Sequence, residues 1–269
     1  MTNAVSQSSS VLTGLQRLVI AGFVVLAGAA MAGCRRGGDA GARMRAVADR
    51  ADRGELGSDA AAKELAQIAK NTGGTSEIVE ALRKDGDPTH SYWWTALALL
   101  GPEASSAIPF LIECLESGPS YRSEYAAMVL GKMGGGASSA VPALCKGAAS
   151  GDALLRWYAT QALGDIGATD PNVIDVLRRG EKDEDVMVRC YARAVLLKLG
   201  YDNDTLAYLV KRLRESDPEV RNAAVLALGY LGPKASAAIP ELGLLLEKED
   251  NVQVKENAEE AVKKISGEF

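Results

Sequence analysis

Hydrophobic and polar positions along the chain fall into a pattern that recurs about every 33 residues. Gly101, Gly134, Gly167, Gly200 and Gly232 each close an apolar segment, at gaps of 33, 33, 33 and 32 residues. Four residues before each glycine stands a leucine: Leu97, Leu130, Leu163, Leu196 and Leu228. Eight before stand Trp93, Ala126, Ala159, Ala192 and Ala224, and one before stand Leu100, Met133, Ile166, Leu199 and Leu231. These offsets mark one stripe of an amphipathic helix, and glycine is where a helix stops in the left-handed conformation. Downstream, Ala107-Ile108-Pro109, Ala140-Val141-Pro142 and Ala238-Ile239-Pro240 share one phase. Proline is tolerated in the first turn of a helix, where N–H groups have no internal partner. A further helix is therefore expected there, capped by Ser105, Ser138 or Ser236. Asp175 and Tyr208 hold the proline position in two repeats, whose helices are expected to start differently. Neither helix of a repeat can bury its stripe alone, so repeats must stack. The predicted fold class is all-α, an α-solenoid of stacked antiparallel helix pairs.

The proline phase, the turn Asp217-Pro218-Glu219-Val220-Arg221 and the ending Ala227-Leu228-Gly229-Tyr230-Leu231-Gly232 resemble HEAT repeats, especially the short bacterial kind also found in phycobilin lyases. Related turns are Glu184-Asp185-Val186-Met187-Val188-Arg189 and Gly151-Asp152 followed by Arg156. The resemblance spans about residues 60–266, with Lys63–Lys84 as a degenerate first unit and Val254–Ser266 as a closing half unit whose glycine is replaced by Ser266. It implies that Arg156, Arg189 and Arg221, eleven residues before their glycines, form a structural ladder with turn aspartates such as Asp217. It also implies that the glycine-terminated helix lines a concave surface. Trp157 and Glu124 stand ten before their glycines, almost opposite the core stripe, and Arg193 and Trp94 stand seven before. These four are the candidate partner-binding residues, because aromatics and arginine dominate interface energetics. Tyr92, Tyr125, Tyr158 and Tyr191 flank the stripe and are expected to stack on guanidinium groups of neighbouring repeats, with a binding strip as the alternative.

Composition narrows the chemistry. Thirty basic against 35 acidic residues, a net charge of −5, give no sign of nucleic-acid binding. A single histidine, His90, excludes His-pair zinc sites and most multi-histidine catalytic arrangements, and its place in the arginine column points to a structural role. No cofactor or metal site is expected. Gly131-Lys132-Met133-Gly134-Gly135-Gly136-Ala137-Ser138 lacks the order of a phosphate loop and reads as an inter-helix turn. Cys114, Cys145 and Cys190 match no metal spacing and read as small buried hydrophobes.

The amino terminus reads as an address. Arg17 precedes the apolar run Leu18–Ala32, which at helical rise spans about 22 Å, short of the ~30 Å hydrocarbon core. Ala32-Gly33-Cys34, with Met31 before it, resembles the lipobox of bacterial lipoproteins. The resemblance implies lipidation of Cys34 and anchoring at the cell envelope, on the periplasmic face. Arg35, not Asp, follows the cysteine, which favours outer-membrane sorting. The expected organisation is a signal peptide over 1–33, a tether and short polar helix over 34–59, and a solenoid over 60–269 ending in an acidic cap. The functional expectation is a non-catalytic, lipid-anchored scaffold for a protein partner. The alternative is an accessory of the phycobilin-lyase kind, enzyme-like or chaperone-like.

Overall fold

A computed structural model describes residues 40–84, 90–118 and 120–268, so residues 1–33, expected to be a signal peptide, and Cys34 lie outside the described residues. Every regular element among them is helical, and the fold is an all-α solenoid. The chain divides into two compact parts, residues 1–100 and 101–269.

In the first part, α1 (Ala40–Asp52) packs on α2 (Ser58–Thr72), and α2 packs on α4 (Tyr92–Leu100), with α3 (Thr75–Lys84) beside them. Gly73, at φ 72°, closes α2. The span Lys63–Lys84 is thus not one helix pair, as the sequence suggested. It joins the end of a glycine-terminated helix to the helix that precedes α4. Its apolar residues Leu65, Ile68, Ile78 and Leu82 are all buried, with Trp93, Trp94 and Leu97 of α4. Asp52 of α1 accepts a 2.8 Å hydrogen bond from the Tyr92 hydroxyl and lies 3.5 Å from His90 Nε2.

The second part alternates outer and inner helices. The outer ones are α5 (Ile108–Ser117), α7 (Val141–Gly147), α9 (Pro171–Gly180), α11 (Thr205–Arg212) and α13 (Ile239–Lys248). The inner ones are α6 (Ser120–Met133), α8 (Ala153–Ile166), α10 (Val186–Leu199), α12 (Pro218–Leu231) and α14 (Val252–Ser266). Each inner helix packs on its own outer helix, and the inner helices pack in sequence, α6 on α8, α8 on α10, α10 on α12 and α12 on α14. Leu130, Leu163, Leu196 and Leu228 are fully buried along this core. Gly134, Gly167, Gly200 and Gly232 all have positive φ, between 56° and 87°, at the ends of the inner helices. Gly267, at φ 75°, does the same for α14, so the closing glycine lies one residue beyond Ser266.

The expected serine caps do not form. The segments Gly101–Ala107, Gly134–Ala140 and Gly232–Ala238 wind as 3-10 helix directly into the proline-phase helices, whose N-cap positions are Ala107, Ala140 and Ala238. Continuous winding carries the chain past Ser105, Ser138 and Ser236, which stay exposed. The two repeats without the proline lack that segment; α9 starts at Pro171 and α11 at Thr205.

Candidate functional site

The inner helices begin with a side-chain cap. Asp152, Asp185, Asp217 and Asn251 accept hydrogen bonds from backbone N–H groups of the first turn, satisfying donors the helix leaves unpaired. Asp217 is therefore a cap rather than a ladder acid. The ladder acid stands two residues before the caps Asp185 and Asn251. Arg156 donates from Nε and Nη2 to Asp183 at 2.9 and 2.8 Å, and Arg221 donates likewise to Glu249 at 2.6 and 2.7 Å. Each acid also accepts the backbone N–H of the coming cap, Asp185 or Asn251. Burial works against ionisation of Asp183, yet the Arg156 guanidinium and the Asp185 N–H hold its carboxyl below the usual range. The Arg221 guanidinium does the same for Glu249. Arg189 does not fit this pattern. Its Nη1 donates to the carbonyl oxygens of Asp183 and Glu184, and no carboxylate among the described residues joins it.

The candidate partner residues are not where the sequence placed them. Trp157 is 5% exposed, stacked on Tyr158 at 4.5 Å and edge-on to Tyr191 at 5.3 Å. Glu124, 7% exposed, accepts a 3.0 Å hydrogen bond from the Ser120 hydroxyl, which also bonds to the Asp152 carboxylate. Burial, reinforced by the Asp152 charge, pushes its carboxyl up to about 7. Trp94 is buried in the first part of the chain. Arg193 is half-buried, 3.4 Å from Glu181 and 3.7 Å from Asp202, with its guanidinium over the Tyr208 ring at 4.3 Å. Arg212 lies over the same ring at 4.4 Å.

The reason is geometric. An inner helix in the stack is covered by its outer helix and by two inner neighbours, so only a narrow strip stays open. Close approach of the inner helices depends on glycines three residues before the closing glycine, Gly131, Gly164 and Gly229. A Cβ on Gly131 would meet Ala162 Cα at 3.1 Å, and one on Gly229 would meet Ala261 Cβ at 3.2 Å. The column of Glu124, Trp157, Cys190 and Asn222 then lies in the seam, where Asn257 donates to Asn222 at 2.7 Å. Tyr125, Tyr158 and Tyr191 are buried beside it; Tyr158 stacks on Trp157, and Tyr191 lies 5.4 Å from the Tyr230 ring. Described cation–π contacts are those of Arg122 on Tyr121, Arg193 and Arg212 on Tyr208, and Lys198 on Tyr230.

The open strip of the inner helices carries Met128, Lys132, Gln161, Asp165, Lys198 and Tyr230. Lys198 pairs with Asp165 at 2.8 Å and donates to the Tyr230 hydroxyl at 3.0 Å. A second exposed feature is a groove of about 700 Å³ beside α11 and α13, floored by Leu213, Pro218 and Leu245 and edged by Leu244, Arg214 and Lys248. Cys114, Cys145 and Cys190 are buried free thiols. No group of three or more His, Cys, Asp or Glu side chains among the described residues is placed to hold a metal ion.

Stacked antiparallel helix pairs with capped inner helices and an arginine–carboxylate ladder define a repeat solenoid. The sequence profile of HEAT repeats matches residues 108–194 and 179–263, and the chain belongs to the HEAT-repeat family. Among solved structures, the complex of CpcE and CpcF of phycocyanin lyase from Nostoc sp. PCC7120 is 22% identical, with a TM-score of 0.52 over 90% of this chain and 99% of that one. An engineered protein is 24% identical, with a TM-score of 0.44 over 83% of this chain and 63% of that one. The likeness to the Nostoc complex is one of fold. No curated protein sequence matches the chain.

Proposed function

We propose that the protein is a non-catalytic scaffold that binds another protein along its repeats and is held at the cell envelope by lipid on Cys34. The observation that carries the first half is the construction of residues 108–263, HEAT repeats whose inner helices are fixed in register by caps and arginine–carboxylate rungs. Such a stack presents side chains at fixed spacing and undergoes little ordering when it binds, which lowers the entropic cost of association. The Nostoc relative in fold is itself described as part of a complex, in keeping with this reading. The second half rests on the run Leu18–Ala32 and the sequence Ala32-Gly33-Cys34. More than one acyl chain, at about 0.8 kcal/mol per buried methylene, suffices for stable anchoring. Arg35 favours the outer membrane.

Crosslinking in the native cells, followed by identification of what is captured, tests the scaffold; recovery of no specific protein overturns it. Labelling with a fatty-acid analogue tests the anchor, and label that persists after Cys34→Ser overturns that part. A second reading, an accessory of the bilin-lyase kind, shares the solenoid fold with the Nostoc protein. Stoichiometric tetrapyrrole absorbance on the purified protein would favour it over the scaffold.

A further inference from the structure

The ladder is built to one plan, and one rung departs from it. In each repeat the arginine stands four residues after the cap and its Nη1 is anchored on the carbonyls that precede the cap. Arg156 Nη1 donates to Ser150 O at 3.2 Å, Arg189 Nη1 to Asp183 O and Glu184 O at 2.6 and 2.8 Å, and Arg221 Nη1 to Glu215 O and Ser216 O at 2.9 and 2.8 Å. This anchoring aims Nε and Nη2 at the turn of the following repeat. There the flanking rungs hold a carboxylate two residues before the next cap: Asp183 before Asp185 for Arg156, Glu249 before Asn251 for Arg221. For Arg189 the equivalent residue is Glu215, before the cap Asp217. Glu215 is turned away. Its carboxylate lies 3.3 Å from Arg212 Nη1 and is 43% exposed, against 13% for Asp183 and 1% for Glu249. Arg189 is left with a fixed fork whose Nε and Nη2 have no hydrogen-bond partner among the described residues.

The surroundings add to this. Arg193, one turn along α10 on the same face, has a buried Nε that is also without a partner. The charges of Arg189 and Arg193 on α10 and of Arg212 on α11 all reach the Cys190 thiol. The half-buried ring of Tyr208 lies between the Arg193 and Arg212 guanidiniums and fixes both. A planar fork with two parallel N–H donors matches a carboxylate bidentately, as the neighbouring rungs display within the same molecule.

We propose that the open rung at Arg189 is a carboxylate-docking site, filled by an aspartate or glutamate side chain of a protein partner. This rests on the scaffold reading and names the chemistry by which the scaffold would grip. Arg189 supplies the fork, Arg212 the neighbouring positive charge, and Glu215 stays on Arg212. An incoming acid completes the row of rungs without displacing a native pair.

The test is a titration of the full chain with N-acetylaspartate, N-acetylasparagine and inorganic phosphate, read from the Nε–H resonance of Arg189. The expected result is a saturable shift with N-acetylaspartate and none with N-acetylasparagine. Arg189→Lys, which keeps the charge and loses the fork, should weaken probe binding about tenfold while the melting temperature stays near that of wild type. Equal binding by wild type and Arg189→Lys overturns the proposal. So does a shift with phosphate alone. Probe binding that is absent from wild type and present in Glu215→Gln also overturns it, since the rung would then be closed in solution by Glu215. Binding by neither overturns it as well. Cellular crosslinking separates this from the scaffold reading: equal capture of a partner by wild type and Arg189→Lys defeats the docking site alone. Capture of nothing defeats the scaffold and leaves the titration to decide the fork.

Discussion

A carboxyl group buried without a cation makes stability depend on pH. Glu124 is such a group, with only the Ser120 hydroxyl and the Asp152 carboxylate beside it, and its carboxyl is pushed from 4.5 to about 7. The folded protein holds this proton more tightly than the unfolded chain. The contribution to stability is therefore complete below pH 4.5 and fades as pH rises through about 7. The denaturation midpoint of wild type should fall across that window relative to Glu124→Gln, which carries an uncharged amide throughout. Parallel pH profiles for the two proteins would refute the assignment. Two glycines give a contrast at the same scale. A Cβ on Gly164 would meet the Tyr230 hydroxyl at 2.5 Å and the two Val195 methyls at 2.7 and 2.9 Å, whereas one on Gly243 meets nothing within 4 Å. Gly164→Ala should cost about 1–3 kcal/mol by overpacking, and Gly243→Ala, in the interior of α13, should add up to about 1 kcal/mol from helix propensity. Urea denaturation of the two variants checks the pair; a gain at Gly164 would mean the inner helices are not in the close contact described.

At the scale of the element, the rungs are worth more broken than made. Arg156 and Asp183 are 9% and 13% exposed, so removing one leaves the other buried and charged. Arg156→Ala should destabilise by about 3–5 kcal/mol, and replacing both residues with apolar ones of similar volume should recover most of the loss. A double variant no better than the single one would show that the rung does more than neutralise a buried charge. The contrast between glycine and rung also explains what the sequence made legible. The helix pairs and their phase could be read because leucine stripe and closing glycine lie within one helix, and local spacing suffices. The arginine column was visible for the same reason. Its partner was not, since the acid lies 27 or 28 residues ahead and its register follows the next cap, while the caps Asp185, Asp217 and Asn251 are 32 and 34 residues apart. Trp157 and Glu124 misled because a helical wheel describes one helix alone. Their column faces away from the core stripe, and it faces an adjacent inner helix. Gly131, Gly164 and Gly229, interior to helices and each three residues before a closing glycine, were the signal that those helices touch.

For the second part of the chain as a whole, stability is a matter of neighbours. The inner helices α8, α10 and α12 are each covered on both flanks by other inner helices, so these repeats have no core of their own. Leu163 is fully buried in α8, which packs between α6 and α10. An aspartate there would bury a charge with no cation placed to meet it, a cost of several kcal/mol. Because α6 and α10 each lose a packed flank when α8 loosens, the damage should spread. Hydrogen exchange on Leu163→Asp should show faster exchange over α6, α8 and α10 together. An Asp152→Ala variant, which removes the cap of α8 and the contact with Ser120, should cost about 1 kcal/mol and leave the protection of α12 and α14 unchanged. If exchange in Leu163→Asp rose over residues 153–166 alone, the repeats would be independent hairpins in a row. The fixed spacing on which a docking surface depends would then have no physical basis, because each repeat could tilt without resistance from the next.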